Sequence, residues 1–450
     1  MDTTTAAPAR PDGAVESTRD RFIDAVRAGA LLVVVYGHWL ATLPRVTDST
    51  TVANDHLLHE WAPAAWLTWV LQVVPLFVLV SAAASSGPKP GMRLDWWSGR
   101  AQRLARPTVT YLVVLAAIWG VAQVREPVGV FTQLFSGSVT VHLWFVVMLL
   151  LVQAALPRAL ELDRRHGLAA IGSMVAIAAA ADVSRFLLAG GSLDDVASFG
   201  GIVASAPAGF GWVNVVAVWL VPQQLGIAWK AGRLTGRRTG LLLLGGGLGW
   251  ALLCVAVGYP VGMVGADPAT GASNVLPPTL ALLGVVAIQA GLVLLLEHPV
   301  RRWLEDRTRW RVVQVLGALG MPLYLWHKLA ELPAVWTANR LGITIDRGVP
   351  GDPGFWTGRL VWLGLCTLLV VPIIAAVVWF ETRRRQRVPH TWRGWRQAIG
   401  GLLVVGAATG ALAGGLDATP IAAAVMLTGS LVLRTSPRSR ADDPRTPVSA

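Results

Sequence analysis

The amino-acid sequence predicts an all-α fold, a polytopic bundle of transmembrane helices. Three observations carry that reading. Of the 450 residues, 54% are hydrophobic and only 14% charged, with a mean hydropathy of +0.55; soluble domains usually carry about 25% charged residues. Apolar runs of about 17–22 residues recur along nearly the whole chain, the length that crosses a hydrocarbon core roughly 30 Å thick. These runs are continuous rather than alternating, which excludes a β-barrel.

Taken in order, the runs predict twelve spans, at 23–43, 65–85, 107–124, 142–157, 167–182, 211–229, 239–258, 279–296, 313–334, 359–380, 397–414 and 418–434. Residues 1–20 are polar and lack the charged, apolar and cleavage regions of a signal peptide, so they read as a disordered cytoplasmic tail. Small residues in PLFVLVSAAASS close the second span and let a neighbouring helix approach. Pro107 opens the third, and Pro322 breaks or bends the ninth. Segment 21–386 is expected to form a ten-span core, 387–434 an additional two-span hairpin with a regulatory or partner-docking role, and 435–450 a second disordered tail.

Basic residues set the orientation. Thirty Lys and Arg fall in segments on the N-terminal side of the spans, and six (Arg45, Arg125, Arg185, Arg340, Arg347 and Arg359) on the other. By the positive-inside rule both termini are cytoplasmic, in a multi-pass cell-membrane protein. The same bias accounts for the net charge of +12 without nucleic acid. Cys254 and Cys366 lie in apolar runs and read as packing residues. The eight histidines show no metal-ligand spacing, so no metal site is expected. Residue usage rich in Ala, Gly, Arg and Trp suggests a GC-rich bacterial genome.

The chemistry-bearing residues cluster in a few segments. Arg27 and His38 stand eleven positions apart in the first span. Eleven helical steps end about 20° past three full turns, so the two share a face, roughly 16 Å apart along the axis. Asp24 lies on the same stripe. An ionisable residue in a span costs on the order of 2.5–3.5 kcal/mol and usually faces a partner or a wet cavity. The alternative is a snorkelling arginine and a core histidine bonded to a carbonyl. In RAQRLARPTVTYL, Arg100, Arg103 and Arg106 recur every three residues; guanidinium groups on adjoining turns suit phosphate clamping, although orientation alone also places arginines there. His142 and Trp144 stand at the external entrance to the fourth span, where an interfacial anchor is the favoured reading. Tyr324 and His327 lie three apart beside Lys328 at the Pro322 kink. Glu297 and Glu381 end spans beside arginine runs, as interfacial ion pairs do.

Read together, these segments resemble the acyltransferase 3 family of integral membrane O-acyltransferases. DAVRAGALLVVVYGHWL is similar to the family's first-span pattern of Arg and His separated by ten residues. PLFVLVSAAA resembles its second-span segment, with Ala82 where the family usually has Gly. RAQRLARPTVTYL, HLWFVVMLL and LGMPLYLWHKL resemble three further stretches in the right order, and WFETRRR keeps Glu381 of the closing motif without its Pro. The match covers 20–386; the last two spans lie outside it.

The resemblance implies transfer of an acyl group from cytoplasmic acyl-CoA, as co-substrate, to a hydroxyl of a cell-surface glycan or exported small molecule. The cytoplasmic arginines Arg100, Arg103 and Arg106 would hold the CoA phosphates. His38 would be general base or transient acyl carrier, with Arg27 on its wall and His327 next in line. Loop 183–210 would shape acceptor choice. One rival reading is a twelve-span transporter or flippase without chemistry; the absence of internal repeats and of a GxxxDRxGRR-type loop counts against it. The other rival is a binding or assembly protein of the membrane.

Overall fold

The computed structural model describes residues 20–46, 52–85, 94–124, 138–188, 208–265, 273–345, 348–383 and 395–433. The expected tails, Asp20 apart, and residues 189–207 of the 183–210 loop lie outside the described residues. The fold is all-α, a polytopic helical bundle. Among the described residues, nine helices are long and apolar enough to cross a membrane.

Helix α1, Arg21–Ala41, begins where the Asp20 carboxylate accepts the backbone N–H groups of Phe22 and Ile23 at 3.1 and 3.4 Å. Arg301 grips the same carboxylate with two hydrogen bonds of 2.8 Å. Burial raises the Asp20 pKa, and the Arg301 bonds and charge more than offset it, leaving the group below the usual carboxylate range. At its other end α1 turns into an antiparallel hairpin, β1 (Thr42–Val46) and β2 (Val52–His56), with Thr42 opposite His56.

Short helix α2, Leu57–Glu60, leads to α3, Ala64–Leu71, and α4, Val74–Ser85. The second span is broken between α3 and α4, and buried amides stitch the break. Gln72 donates to Met263 O at 2.8 Å, and Gln289 donates to Gln72 O at 2.5 Å. Helix α5, Leu94–Val124, carries the arginine run and contains Pro107. Short α6, Ser138–Val141, precedes α7, Trp144–His166, and α8, Ala169–Leu188. The expected sixth span forms α9, Ala208–Lys230, whose buried Asn214, Gln223 and Gln224 dilute its apolar run. Helices α10, Gly236–Ala256, and α11, Leu280–Trp303, pack backbone to backbone. A Cβ on Gly247 would lie 2.6 Å from Gly284 O, and one on Gly291 would lie 2.6 Å from Gly240 O.

The expected ninth span, 313–334, is not one continuous helix. It divides into α12 (Arg307–Ala318), α13 (Gly320–Trp326), a 3-10 turn (His327–Ala330) and α14 (Glu331–Arg340). Pro322 sits in the first turn of α13, where its missing N–H costs nothing, so the break falls at Leu319–Gly320, ahead of the proline. A second break, the 3-10 turn, falls on His327 itself. Long α15, Phe355–Arg383, follows.

The chain closes with α16, Trp395–Gly414, and α17, Thr419–Leu433. Both enter the larger of the two main apolar cores, together with residues of α1, α5, α7, α13, α14 and α15. The second core gathers α4, α7, α8, α9, α10 and α11. Helix α1 serves both: Phe22 and Ile23 lie in the second core, Val35 and Trp39 in the first.

Candidate active site

The seam between the cores runs along α1, and the polar residues of α1 find their partners there. Near its start Arg27 is held from two sides. Its Nε and Nη2 donate to Ser81 Oγ on α4 at 3.3 and 3.1 Å, and Asp24 lies 3.9 Å from Nη1. The guanidinium stands 5.7 Å from the Phe77 ring.

Three turns on, His38 meets His327. The Nδ1 of His38 and the Nε2 of His327 are 2.9 Å apart, and the rings stack at 29°. The remaining bonds fix the proton positions. His327 Nδ1 lies 2.8 Å from Tyr324 O, and a carbonyl only accepts, so Nδ1 carries the hydrogen. A neutral His327 then has its lone pair on Nε2, which accepts from His38 Nδ1–H. That leaves the lone pair of the His38 ring on Nε2. This is an imidazole oriented by a second imidazole that is itself oriented by the backbone. The 3-10 turn makes it possible by turning the His327 ring back onto the Tyr324 carbonyl.

Aromatic groups wall the pair. Trp39 Nε1 donates to His327 O at 3.1 Å, and Trp362 Nε1 to Trp39 O at 2.8 Å. His142 is not an interfacial anchor. It is 1% exposed and packs edge-on to His327, Tyr324 and Tyr111 at 5.4–5.5 Å. Tyr324 donates its hydroxyl to His142 O. Trp144, by contrast, packs against Trp219 in the second core, 5.7 Å between rings.

The arginines of α5 stand on another part of the wall. Arg100 lies within electrostatic reach of both Arg103 and Arg27. Arg103 is exposed and Arg106 half-buried. Glu381, at the end of α15, lies within reach of Arg106.

Four groups near the site were not legible as site residues. Lys328 donates to Thr42 and Glu331, Arg359 donates to the Thr42 carbonyl, and His56 caps α2 through Nδ1, which accepts Leu58 N–H at 3.3 Å. Burial, with the charges of His59 and Lys328, pushes His56 down to about 4, so it is neutral at pH 7. A signal for Glu331 was present: a lysine inside a span calls for an acid, and Glu331 stands three residues on. Arg359, counted among the external arginines, is instead 3% exposed inside α15.

A family model described as an acyltransferase domain, that of the acyltransferase 3 family, matches residues 20–380. Neither the curated proteins nor the solved structures gave a match. Both α1, with its Arg27 and His38, and the 3-10 turn with His327 fall inside the matched segment, as does the arginine run of α5. The chain belongs to the acyltransferase 3 family and is a membrane acyltransferase.

Proposed function

We propose that this protein transfers an acyl group from acyl-CoA on the cytoplasmic side of the cell membrane to a hydroxyl of a cell-surface glycan or exported small molecule. The hydrogen bond between His38 and His327 carries this reading, because it leaves one oriented imidazole lone pair at His38 Nε2. The acceptor hydroxyl gives its proton to Nε2. Its oxygen attacks the thioester carbonyl, the C–O bond forms and the C–S bond breaks. The CoA thiolate leaves and takes the proton back from His38, so the base is restored. His327 shares the positive charge of the intermediate imidazolium through the bond to Nδ1.

The test is turnover of radiolabelled acyl-CoAs by purified protein in bilayer discs. Label should pass to the hydroxyl-bearing acceptor with stoichiometric release of free CoA thiol. Movement of label across the bilayer without thiol release would favour the transporter reading. Mass spectrometry of surface glycans and exported small molecules, with and without the protein, identifies the acceptor.

The donor end rests on the α5 arginines, of which Arg100 lies within electrostatic reach of Arg103 and Arg27, and clustered guanidinium groups suit the CoA phosphates. Arg103→Ala or Arg106→Ala is expected to weaken acyl-CoA binding by about 1.5–3 kcal/mol, the cost of one charge-assisted bond. Calorimetric titration of the folded variants measures it; unchanged affinity would reduce these arginines to orientation signals.

A cytoplasmic donor requires the arginines inside and both termini cytoplasmic, as the basic asymmetry expects. Reporter fusions after residues 50, 260 and 350 are expected to read external. A cytoplasmic reading at any of them would overturn the orientation.

A further inference from the structure

Beside the histidine pair lies a buried charged network that the transfer chemistry does not use. Lys328 and Glu331 are 5% and 4% exposed. Lys328 Nζ donates to Glu331 Oε1 at 2.6 Å and to Thr42 Oγ1 at 3.0 Å. The Thr42 hydroxyl lies 3.0 Å from His38 O and 3.2 Å from Glu331 Oε1, so its single hydrogen can go to either. Arg359, from α15, donates to Thr42 O at 2.7 Å and to Ile345 O at 2.8 Å.

The network spans four elements. Thr42 follows the last turn of α1, four residues after His38, and bonds to the carbonyl of His38 itself. Lys328 is the residue after His327 in the 3-10 turn, and Glu331 opens α14. Arg359 reaches across from α15. A buried ion pair in a span is a poor way to gain stability, because desolvation offsets much of the attraction. What such a pair does well is fix one register between packed segments. Here the register in question is that of His38 on α1 against His327 on the 3-10 turn, two segments with no covalent link for 289 residues. A 3-10 turn has weaker internal hydrogen bonds than an α-helix and needs outside support to hold one geometry.

We propose that Thr42, Lys328, Glu331 and Arg359 form a positioning clamp that holds His38 in hydrogen-bond register with His327, with the Thr42 hydroxyl as its joint. The inference rests on the reading of His38 as the base. The clamp residues are positioning residues; they act on turnover through the histidines and leave the donor arginines of α5 untouched. Thr42 is the informative site because valine matches its shape and lacks only the hydroxyl, whereas serine keeps the hydroxyl and lacks only a methyl.

The experiment compares wild type, Thr42→Val and Thr42→Ser for acyl-CoA turnover, acyl-CoA KM and thermal unfolding in the same bilayer discs. Thr42→Val is expected to lower kcat about tenfold or more at unchanged acyl-CoA KM, and Thr42→Ser to restore at least half of wild-type kcat. Lys328→Met/Glu331→Gln, which removes both charges together, is expected to reproduce the kcat loss with KM again unchanged. Three results would overturn the clamp: Thr42→Val within twofold of wild type, Thr42→Ser as impaired as Thr42→Val, or a kcat loss that follows only the fraction unfolded. If wild type itself releases no CoA, the acyltransfer reading fails; if wild type turns over and Thr42→Val does too, only the clamp fails.

Discussion

His38→Gln is expected to slow acyl transfer by roughly 10²–10⁴-fold, the usual cost of losing a positioned base. Glutamine keeps the approximate size of the side chain and a polar amide near the position of the His38 Nε2 atom. It cannot take a proton near pH 7. The variant is therefore expected to insert, to unfold near the wild-type temperature and to bind acyl-CoA normally, because the Arg27–Ser81 contact and the α5 arginines are unchanged. Loss of a packing histidine would look different, with lowered stability and turnover that follows the folded fraction. His327→Gln is expected to be less severe, since it disturbs the group that orients the base rather than the base. Steady-state turnover and acyl-CoA titration on the same preparations separate these outcomes. Retention by His38→Gln of more than about a tenth of wild-type kcat would move the base elsewhere, with His327 the first replacement.

A chain ended at residue 386 is expected to lose at least about tenfold in folded, acyl-CoA-binding protein, since 1–2 kcal/mol already changes the folded ratio 5–30-fold. The family match stops at residue 380, yet α16 and α17 are packed into the same core as the histidine wall. Val404, Ala408, Ala411 and Met426 are wholly buried. Gly401 lies against the Trp97 ring so closely that a Cβ there would overlap it. Trp97 stands three residues before Arg100 and donates from Nε1 to Leu150 O at 3.0 Å, tying α5 to α7. At the other end of α5, Trp119 Nε1 donates to Asp417 Oδ1 at 2.9 Å. Removing the hairpin uncovers the face of α5 that steadies the arginine run. Contact between lipid tails and α5 replaces some of the lost dispersion energy but none of the close Gly401–Trp97 packing. Segment 387–450 supplied as a second chain is expected to restore binding, because its helices can insert independently and then dock. Full turnover by the shortened chain on its own would assign the hairpin a regulatory or partner-docking role, as its place outside the matched segment suggests.

Part of the site was legible one helix at a time. Arg27, Asp24 and His38 share a stripe on α1 because helical periodicity is a local property, and ionisable residues in an apolar run announce themselves by their cost. The ordered string of motifs was legible for the same reason. The pairing of His38 with His327 was not, since nothing local relates residues 289 positions apart. His142 shows the same limit. Its sequence context at the start of an apolar run fits an interfacial anchor, and only the packing of α5, α6 and α13 around it makes it a buried ring beside Tyr111, Tyr324 and His327.

By itself the sequence determined the fold class, since a chain with 54% hydrophobic residues in continuous runs can satisfy its backbone in a bilayer only as helices. It determined the polar stripe of α1 and marked Lys328 as a charge in need of a partner. Tertiary structure alone decided where the ninth segment breaks. Pro322 is tolerated in a first helical turn, so the breaks fell at Leu319–Gly320 and at His327, where contacts with α1 and α15 outweigh helical continuity. It also decided that Arg100 of α5 lies within electrostatic reach of Arg27, that Lys328 bonds to Thr42 and Glu331, and that Arg359 bonds to the Thr42 carbonyl. Each of these depends on which helices become neighbours, and that is fixed by the packing of small residues and buried hydrogen bonds between helices rather than by any pattern along one of them.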